Sequence, residues 1–149
     1  MTAPKLVTID RIAETCAAAG IDITPDATGR AAHGTHEGLP LLVVLLDSVF
    51  IVRADSATDT PTDSPDATYY LAANEVNTAM MGARAVVANK GEVNVIRTEA
   101  EVPCAAGLTD EQLAFAATQA VASVVEAHNA MVVMCEQIRA AREAAAEEG

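Results

Sequence analysis

A capping box followed by a long apolar stripe constrains the fold of this chain more than any other sequence feature. In the box, the hydroxyl of Thr109 and the side chain of Gln112 can satisfy amides that a helix leaves without partners. No glycine or proline follows before Gly149, and apolar residues recur at alternating spacings of four and three. The stripe consists of Leu113, Ala117, Ala120, Val124, Ala127, Met131, Met134 and Ile138. This heptad pattern predicts one continuous helix from residue 109 to about residue 146.

This predicted helix is longer than the sheet that it would cover. It would span roughly 55 Å at 1.5 Å per residue, whereas a sheet of about five strands is roughly 25 Å across. One interpretation is a core helix that continues into a polar C-terminal tail at residues 139–149. The other is a helix that contacts a second helix, most simply the same helix of a twin subunit. The candidate dimer or partner face comprises Val124, Val125, Met131, Val132, Met134 and Ile138.

Two hairpins and two shorter helices account for the rest of the chain. Apolar, β-rich runs predict strands, and the short polar or glycine-containing segments between them predict turns. The predicted strands are residues 21–24, 39–46, 49–54, 85–88 and 92–102. Residues 29–38 are polar and irregular and fit either a weak strand or a loop. Helical spacing predicts a first helix between Thr8 and Gly20 and a second at residues 68–81, so residues 1–149 are predicted to form a single α+β domain.

Residues 55–67 differ sharply in composition from their surroundings. They read DSATDTPTDSPDA, with four acidic residues, no base and no large apolar side chain. Such a segment buries too little apolar surface to offset the conformational entropy that it loses on ordering. It is therefore predicted to be an acidic mobile loop inside the domain, either a plain solvated linker or an acidic docking segment.

The charge balance argues against whole classes of partner. The formal net charge is −12, and the nine lysines and arginines are scattered with no two adjacent. A surface of this sign repels the phosphates of nucleic acid and the headgroups of anionic membrane. Only Phe50, Tyr69, Tyr70 and Phe115 are aromatic, which leaves little material for base-stacking platforms or aromatic-lined pockets.

Cysteine usage and hydropathy predict a cytoplasmic protein. Cys16, Cys104 and Cys135 stand far apart without a C-x-x-C pair, which is typical of reduced thiols. The first five residues lack the basic and apolar parts of a signal sequence. The longest apolar runs, at residues 41–46 and 131–135, are too short to cross a bilayer.

No group of residues has the composition and spacing of a catalytic or metal centre. His33, His36 and Glu37 lie close in sequence, but residues three apart on a strand point to opposite faces, and no further ligand has matching spacing. Glu99 and Glu101 resemble paired carboxylates, yet they are expected on a solvated strand face. We therefore predict no catalytic residue, no metal ligand and no cofactor.

Asn74 and Asn77 form a polar pair on the second predicted helix. Three apart, they share a helix face, and asparagine is a poor helix former. If they turn inward, each needs partners, because a buried amide without them costs about 1 to 3 kcal/mol. Either they tie the helix to strand backbone or loop ends, or they bind a peptide or a small ligand.

The order of elements and three short motifs resemble the YbjN family, bacterial regulators of sensory transduction with a fold like that of type III secretion chaperones. Asn74-Glu75-Val76-Asn77 is similar to an N-E-W-N-like stretch of that family, although valine stands where the family often has tryptophan. Residues 107–113 and a strand ending at residues 52–54 match as well, and the resemblance runs over residues 20–134.

This resemblance implies an α-β-β-β-α-β-β-α arrangement with an antiparallel sheet and helices packed on it. It implies no reaction, and relatives of the fold bind other polypeptides. Residues and resemblance together predict a non-enzymatic binding or regulatory module that recognises a polypeptide partner in a chaperone-like way, or a second copy of itself as a homodimer. The alternative is a small-molecule binder or an enzyme with a site between the second helix and the sheet.

Overall fold

The structure is a computed structural model that describes residues 3–149, so the first two residues of the predicted domain lie outside the described residues. The described residues form three helices and one six-stranded antiparallel sheet with strand order β1-β2-β3-β4-β6-β5. The elements are α1 (Ile9–Ala18), β1 (Ile23–Pro25), β2 (Ala31–His36), β3 (Leu39–Leu45), β4 (Val49–Pro61), α2 (Thr68–Ala79), β5 (Arg84–Ala88), β6 (Val93–Pro103) and α3 (Asp110–Glu148). The predicted α+β class is confirmed, with six strands where about five were predicted.

The additional strand is β2, which lies in the polar segment that fitted either a weak strand or a loop. All of its residues pair with β3. The turn between the two strands contains Glu37 and Gly38, whose φ angles are both positive, at 52° and 77°. Two positive φ angles in succession are the type I′ geometry that matches the twist of a two-residue hairpin. The order of elements is therefore α-β-β-β-β-α-β-β-α.

The predicted mobile loop at residues 55–67 is wrong for its first half. Strand β4 continues to Pro61 and pairs with β6, with a register irregularity near its end. Polar contacts replace the missing apolar surface: Arg97 donates two hydrogen bonds of 2.8 Å to Asp55, and the Thr58 hydroxyl donates to a β6 carbonyl at 2.7 Å. Threonine also favours strands. The connection to α2 begins only after this strand.

Helix α3 is one unbroken helix of 39 residues, as the capping box and the stripe predict. The Gln112 amide donates to the Thr109 hydroxyl at 3.1 Å, and the Thr109 amide donates to the Gln112 side chain at 2.9 Å. The stripe from Leu113 to Met131 is buried and lies in one hydrophobic core between the sheet and the helices. Among residues 3–149, no helix is long and apolar enough to cross a membrane.

The predicted polar C-terminal tail at residues 139–149 is helical as far as Glu148. Arg139 lies 5.3 Å from the centroid of the Tyr69 ring and donates to the Tyr69 hydroxyl at 3.1 Å. A cation over an aromatic face is attracted by the electrons of the ring. The first turn of this segment therefore contacts α2, while residues 139–149 are all exposed.

Asp66 joins the same turn of α3 to the start of α2. Its Oδ1 atom accepts from the Thr68 amide at 3.0 Å and from Arg142 at 2.8 Å. Ala67, in the N-cap position, offers no capping side chain. Hydrogen bonds from the Thr68 side chain and from Arg142 hold the pKa of Asp66 well below its ordinary value. Asp66 thus supplies the acceptor that the helix end requires.

Candidate functional site

All three helices pack on one face of the sheet, and the opposite face carries no helix within residues 3–149. Alternate residues of β6 are buried under the helices, and the Thr98 hydroxyl donates to the Val124 carbonyl of α3 at 3.3 Å. The residues between them point to the other side, because side chains alternate along a strand. We call this side the open face. One row of residues across it consists of Thr24, His33, Leu42, Arg53, Glu99 and Arg84.

Glu99 is a carboxylate on the open face that is nevertheless only 5% exposed. Nε and Nη2 of Arg53 donate to its Oε2 atom at 3.1 and 2.9 Å, and Nε of Arg84 donates to Oε1 at 2.7 Å. Burial raises the pKa of Glu99, but the hydrogen bonds from Arg84 and Arg53 outweigh that effect and leave the pKa below its ordinary value. The carboxylate is therefore ionised and fixed between two guanidinium groups.

The expectation that Glu99 and Glu101 form a solvated pair is wrong for Glu99. Strand β6 lies inside the sheet, so an arginine from each neighbouring strand reaches this carboxylate. Glu101 remains half-exposed, and its Oε1 atom lies 3.7 Å from Arg84. The two carboxylates thus differ in burial and in partners.

Glu99, Arg53 and Arg84 together form a group that we call the Glu99 cluster. A second ion pair and three aliphatic side chains surround it. Arg97 binds Asp55 through two hydrogen bonds, which are the main cause of its raised pKa. Leu42, Val44 and Ile51 are half-buried on the same face. Fixed charges beside aliphatic surface are a composition suited to binding another macromolecule.

A depression adjoins the Glu99 cluster where the chain passes from α2 into β5. Its cavity volume is about 390 Å³, and Asn77, Met81, Arg84 and Glu99 are among its lining residues. Met81 is fully exposed. The depression therefore combines a large apolar side chain with the charged cluster.

The structure gives different surroundings to the two predicted asparagines. The Asn77 side chain donates to the Ala85 carbonyl at 2.8 Å and accepts from the Ala85 amide at 2.8 Å. It thereby takes the place that the backbone of a neighbouring strand would have at the outer edge of β5. The Asn74 side chain is exposed and makes no hydrogen bond within residues 3–149. Only the backbone carbonyl of Asn74 accepts a side-chain hydrogen bond, from the Thr78 hydroxyl. Asn77 therefore makes the contacts that a structural role requires.

Replacing Asn77 with alanine is expected to lower the free energy of unfolding by about 1 to 3 kcal/mol, because it leaves the amide and carbonyl of buried Ala85 without partners. Urea denaturation measures the change. The matched control is Asn74→Ala, which should change stability by less than about 0.5 kcal/mol. Equal stability of the Asn77 variant and the wild-type protein would argue against the structural role.

The candidate partner face of α3 divides into buried and exposed residues. Val124 and Met131 are fully buried in the core of this chain, so their prediction as partner contacts is wrong. The part of the heptad stripe from Leu113 to Met131 is the seam that α3 presents to its own sheet, and no second chain can reach that part. The remaining residues are Val125, Met134 and Ile138, which are half-buried, and Val132, which is exposed.

The structure also bears on whether residues 3–149 contain a metal site or a reactive thiol. Within residues 3–149, no three His, Cys, Asp or Glu side chains are placed to hold a metal ion together. His33 lies on the open face, 3.9 Å from Asp26. Burial raises the pKa values of Cys16, Cys104 and Cys135, which makes these thiols poor nucleophiles at neutral pH.

Sequence reasoning missed Arg53 and Arg84 as parts of this site. A signal was present in β6, where Arg97, Glu99 and Glu101 alternate with uncharged residues and so share one face of the strand. The pairing register of the neighbouring strands decides which arginines meet these carboxylates.

Comparison with known proteins gives a family and a fold. Residues 8–131 match the model of a family described as "YbjN: Putative bacterial sensory transduction regulator". The chain is similar to a crystal structure of YbjN, "a putative transcription regulator from E. coli", with 14% sequence identity and a TM-score of 0.62 over 94% of this chain and 97% of that chain. At this identity the likeness supports the fold alone. No curated protein matches the chain.

Proposed function

Since this chain belongs to the YbjN family, as its motifs predict, we propose that it is a non-enzymatic regulatory module that binds a polypeptide partner through the open face of its sheet. One observation carries the proposal: the open face places uncovered aliphatic side chains beside charges that are already held in ion pairs. Side chains that are fixed before binding lose less conformational entropy when a partner arrives.

The size and charge of the open face favour a polypeptide over other ligands. Six strands at about 4.8 Å each make a surface roughly 29 Å across, which suits a macromolecule better than a metabolite. The net charge of −12 opposes nucleic acid and anionic membrane. A polypeptide can pack apolar side chains against Leu42, Val44 and Ile51. Its basic side chains would at the same time be attracted by the negative net charge of this chain.

General acid–base catalysis has little support at this site. A catalytic carboxyl needs a pKa near the working pH. Glu99 has the opposite property, because two arginines hold its pKa below the ordinary value. Its role is better explained as a fixed charge that orders the face.

The small-molecule alternative, a site between α2 and the sheet, also loses support. Both polar atoms of the Asn77 amide are engaged by Ala85, and the Asn74 side chain is exposed. A homodimer has a different obstacle, since two copies with a net charge of −12 repel each other, most strongly at low salt.

Selection from a displayed library of random peptides tests the proposal. We expect the wild-type protein to enrich peptides whose binding falls by about tenfold or more in the Ile51→Lys variant, which places a charge on the aliphatic part of the open face. The matched control is Val133→Lys, which places the same charge on the exposed side of α3 and should leave binding unchanged. Circular dichroism establishes that both variants are folded.

Two results would refute the proposal. One is that no peptide is enriched. The other is that the open-face and α3 variants bind the selected peptides equally well. Sedimentation at several protein concentrations separately measures self-association, and a stable dimer that buries Ile51 would make a second copy the occupant of this face.

A further inference from the structure

Strand β6 is longer than its neighbour β5, and its last residues have no strand beside them on that side. β5 begins at Arg84 opposite Glu99, whereas β4 pairs with β6 as far as Pro103. The chain that precedes β5 turns towards α3 at Gly82, where an added Cβ would lie 2.7 Å from the Ser123 hydroxyl. It therefore does not continue along β6. We call residues 100–103 of β6 the bare edge.

The alternation of hydrogen bonds in antiparallel strands identifies the free groups on this edge. Ala85 directs its amide and carbonyl away from β6, towards Asn77, so the adjacent Arg84 directs its own towards Glu99. Two residues further on, Glu101 must direct its amide and carbonyl to the same side as Glu99. No backbone or side-chain group within residues 3–149 forms a hydrogen bond with either.

Other edge positions of the sheet differ from Glu101. The Asn77 side chain binds the outward amide and carbonyl of Ala85 in β5. At the other side of the sheet, β1 is only three residues long and ends in Pro25, which has no amide hydrogen. Short strands and proline are usual means of blocking unwanted strand pairing. The bare edge also ends in a proline, Pro103, but the amide and carbonyl of Glu101 before it have no hydrogen-bond partner within residues 3–149.

Apolar surface adjoins the free groups on the helix side. A groove with a cavity volume of about 390 Å³ is lined there by Val102, Phe115, Ala116 and Ala120. Phe115 is 69% exposed, although it is one of only two phenylalanines in the chain. An exposed aromatic side chain beside unpaired backbone groups is typical of a binding site.

We propose that the bare edge binds an extended segment of the partner by strand addition, with the segment in the position that a longer β5 would occupy. This inference rests on the proposed function, because it states how the polypeptide partner binds. Directly opposed residues share a sheet face, so the segment residue opposite Glu101 has its side chain on the open face. Glu101 is 52% exposed there. A lysine or arginine fits this position, and its two neighbours are apolar and point towards Phe115.

A second copy of the chain is a poorer occupant of this edge. Two-fold pairing through the free groups of Glu101 would place the Glu101 side chains of both copies directly opposite each other. Like charges in that position destabilise a strand pair. The bare edge is therefore selective for a different, basic segment.

A labelled peptide of alternating lysine and valine tests the inference by fluorescence anisotropy. When a lysine of this peptide lies opposite Glu101, the backbone amides of the lysines point at β6 and the backbone amides of the valines point away. N-methylation of the lysine amides should therefore weaken binding by about tenfold or more, whereas N-methylation of the valine amides should have a much smaller effect. In the bound protein, the Glu101 amide should exchange its hydrogen more slowly with solvent by nuclear magnetic resonance.

Protein variants separate backbone pairing from charge. Glu101→Pro removes the free amide at a place where no neighbouring strand needs it, and Glu101→Gln removes only the charge. We expect the proline variant to bind the peptide at least tenfold more weakly than the glutamine variant. Phe115→Ser should also weaken binding, with Val133→Ser, elsewhere on α3, as the control.

Three outcomes would overturn strand addition: no binding of the lysine–valine peptide to the wild-type protein, equal effects of the two N-methylated peptides, or equal binding by the Glu101→Gln and Glu101→Pro variants. The proposed function is decided separately by the display selection and the Ile51→Lys variant. Displayed peptides that depend on Ile51 but bind equally to Glu101→Pro would leave that function intact and remove strand addition.

Discussion

Replacing Met131 with alanine is expected to lower the free energy of unfolding by about 2 to 5 kcal/mol. The Met131 side chain is 0% exposed and belongs to the core between α3 and the sheet. Truncation removes apolar contacts and leaves a cavity that the surrounding side chains fill only in part. Urea denaturation at neutral pH measures the change.

The adjacent Val132 provides the control, because it is 44% exposed on the outer side of the same helix turn. Val132→Ala should change the free energy of unfolding by less than about 0.5 kcal/mol. The opposite order, with a mild Met131 variant and a severe Val132 variant, would mean that α3 is rotated on the sheet. The apolar stripe would then face a second chain, and the stability of the wild-type protein would depend on its concentration.

The existence and length of α3 could be predicted because the information is local. A capping box, a heptad period and the lack of glycine and proline all act within a few residues of one another. The surface that meets the stripe is not encoded locally. A seam of Val124 and Met131 looks the same whether it packs on a sheet or on a twin helix, and only the assembled fold shows that it is occupied.

Strand β4 shows the opposite case, in which local composition predicts the wrong structure. Residues 55–61 lack large apolar side chains, so an entropy argument predicts a mobile loop. Their order depends on Arg97 and on the β6 carbonyl that receives the Thr58 hydroxyl, both about forty residues away in the chain. Contacts of that separation are invisible to a composition window.

The Glu99 cluster could not be predicted for a related reason. Arg53, Arg84 and Glu99 come from three strands, and a shift of one residue in either strand pairing would place an arginine on the other face of the sheet. The sequence shows three scattered charges, and the register brings them together around one buried carboxylate. Asn77 differs, because a polar residue on a helix face already indicates that it needs a partner, although it does not say which.

Replacing Glu99 with glutamine is expected to lower the free energy of unfolding by about 2 to 4 kcal/mol. Removal of one partner of a buried ion pair typically costs about 3 to 5 kcal/mol. The expected cost is lower here because Arg84 is more than half exposed and can turn into water. Arg53, with a lower exposure, would lose both of its hydrogen bonds to a charged acceptor. Glu101→Gln, on the same strand face but half-exposed, should cost less than about 0.5 kcal/mol.

The difference in stability between the wild-type protein and the Glu99→Gln variant should depend on pH in a defined direction. The pKa of Glu99 is lower in the folded chain than its ordinary value, so the unfolded chain binds a proton at this residue more readily than the folded chain does. The stabilisation from the ionised carboxylate is therefore complete above the unfolded pKa, about 4.3 for glutamate. It is lost as the pH falls from there through the folded pKa. Urea denaturation of both proteins from pH 7 downwards should show a constant difference that shrinks only in this acidic range, and a difference that shrinks near neutral pH would contradict an ionised Glu99 between two arginines.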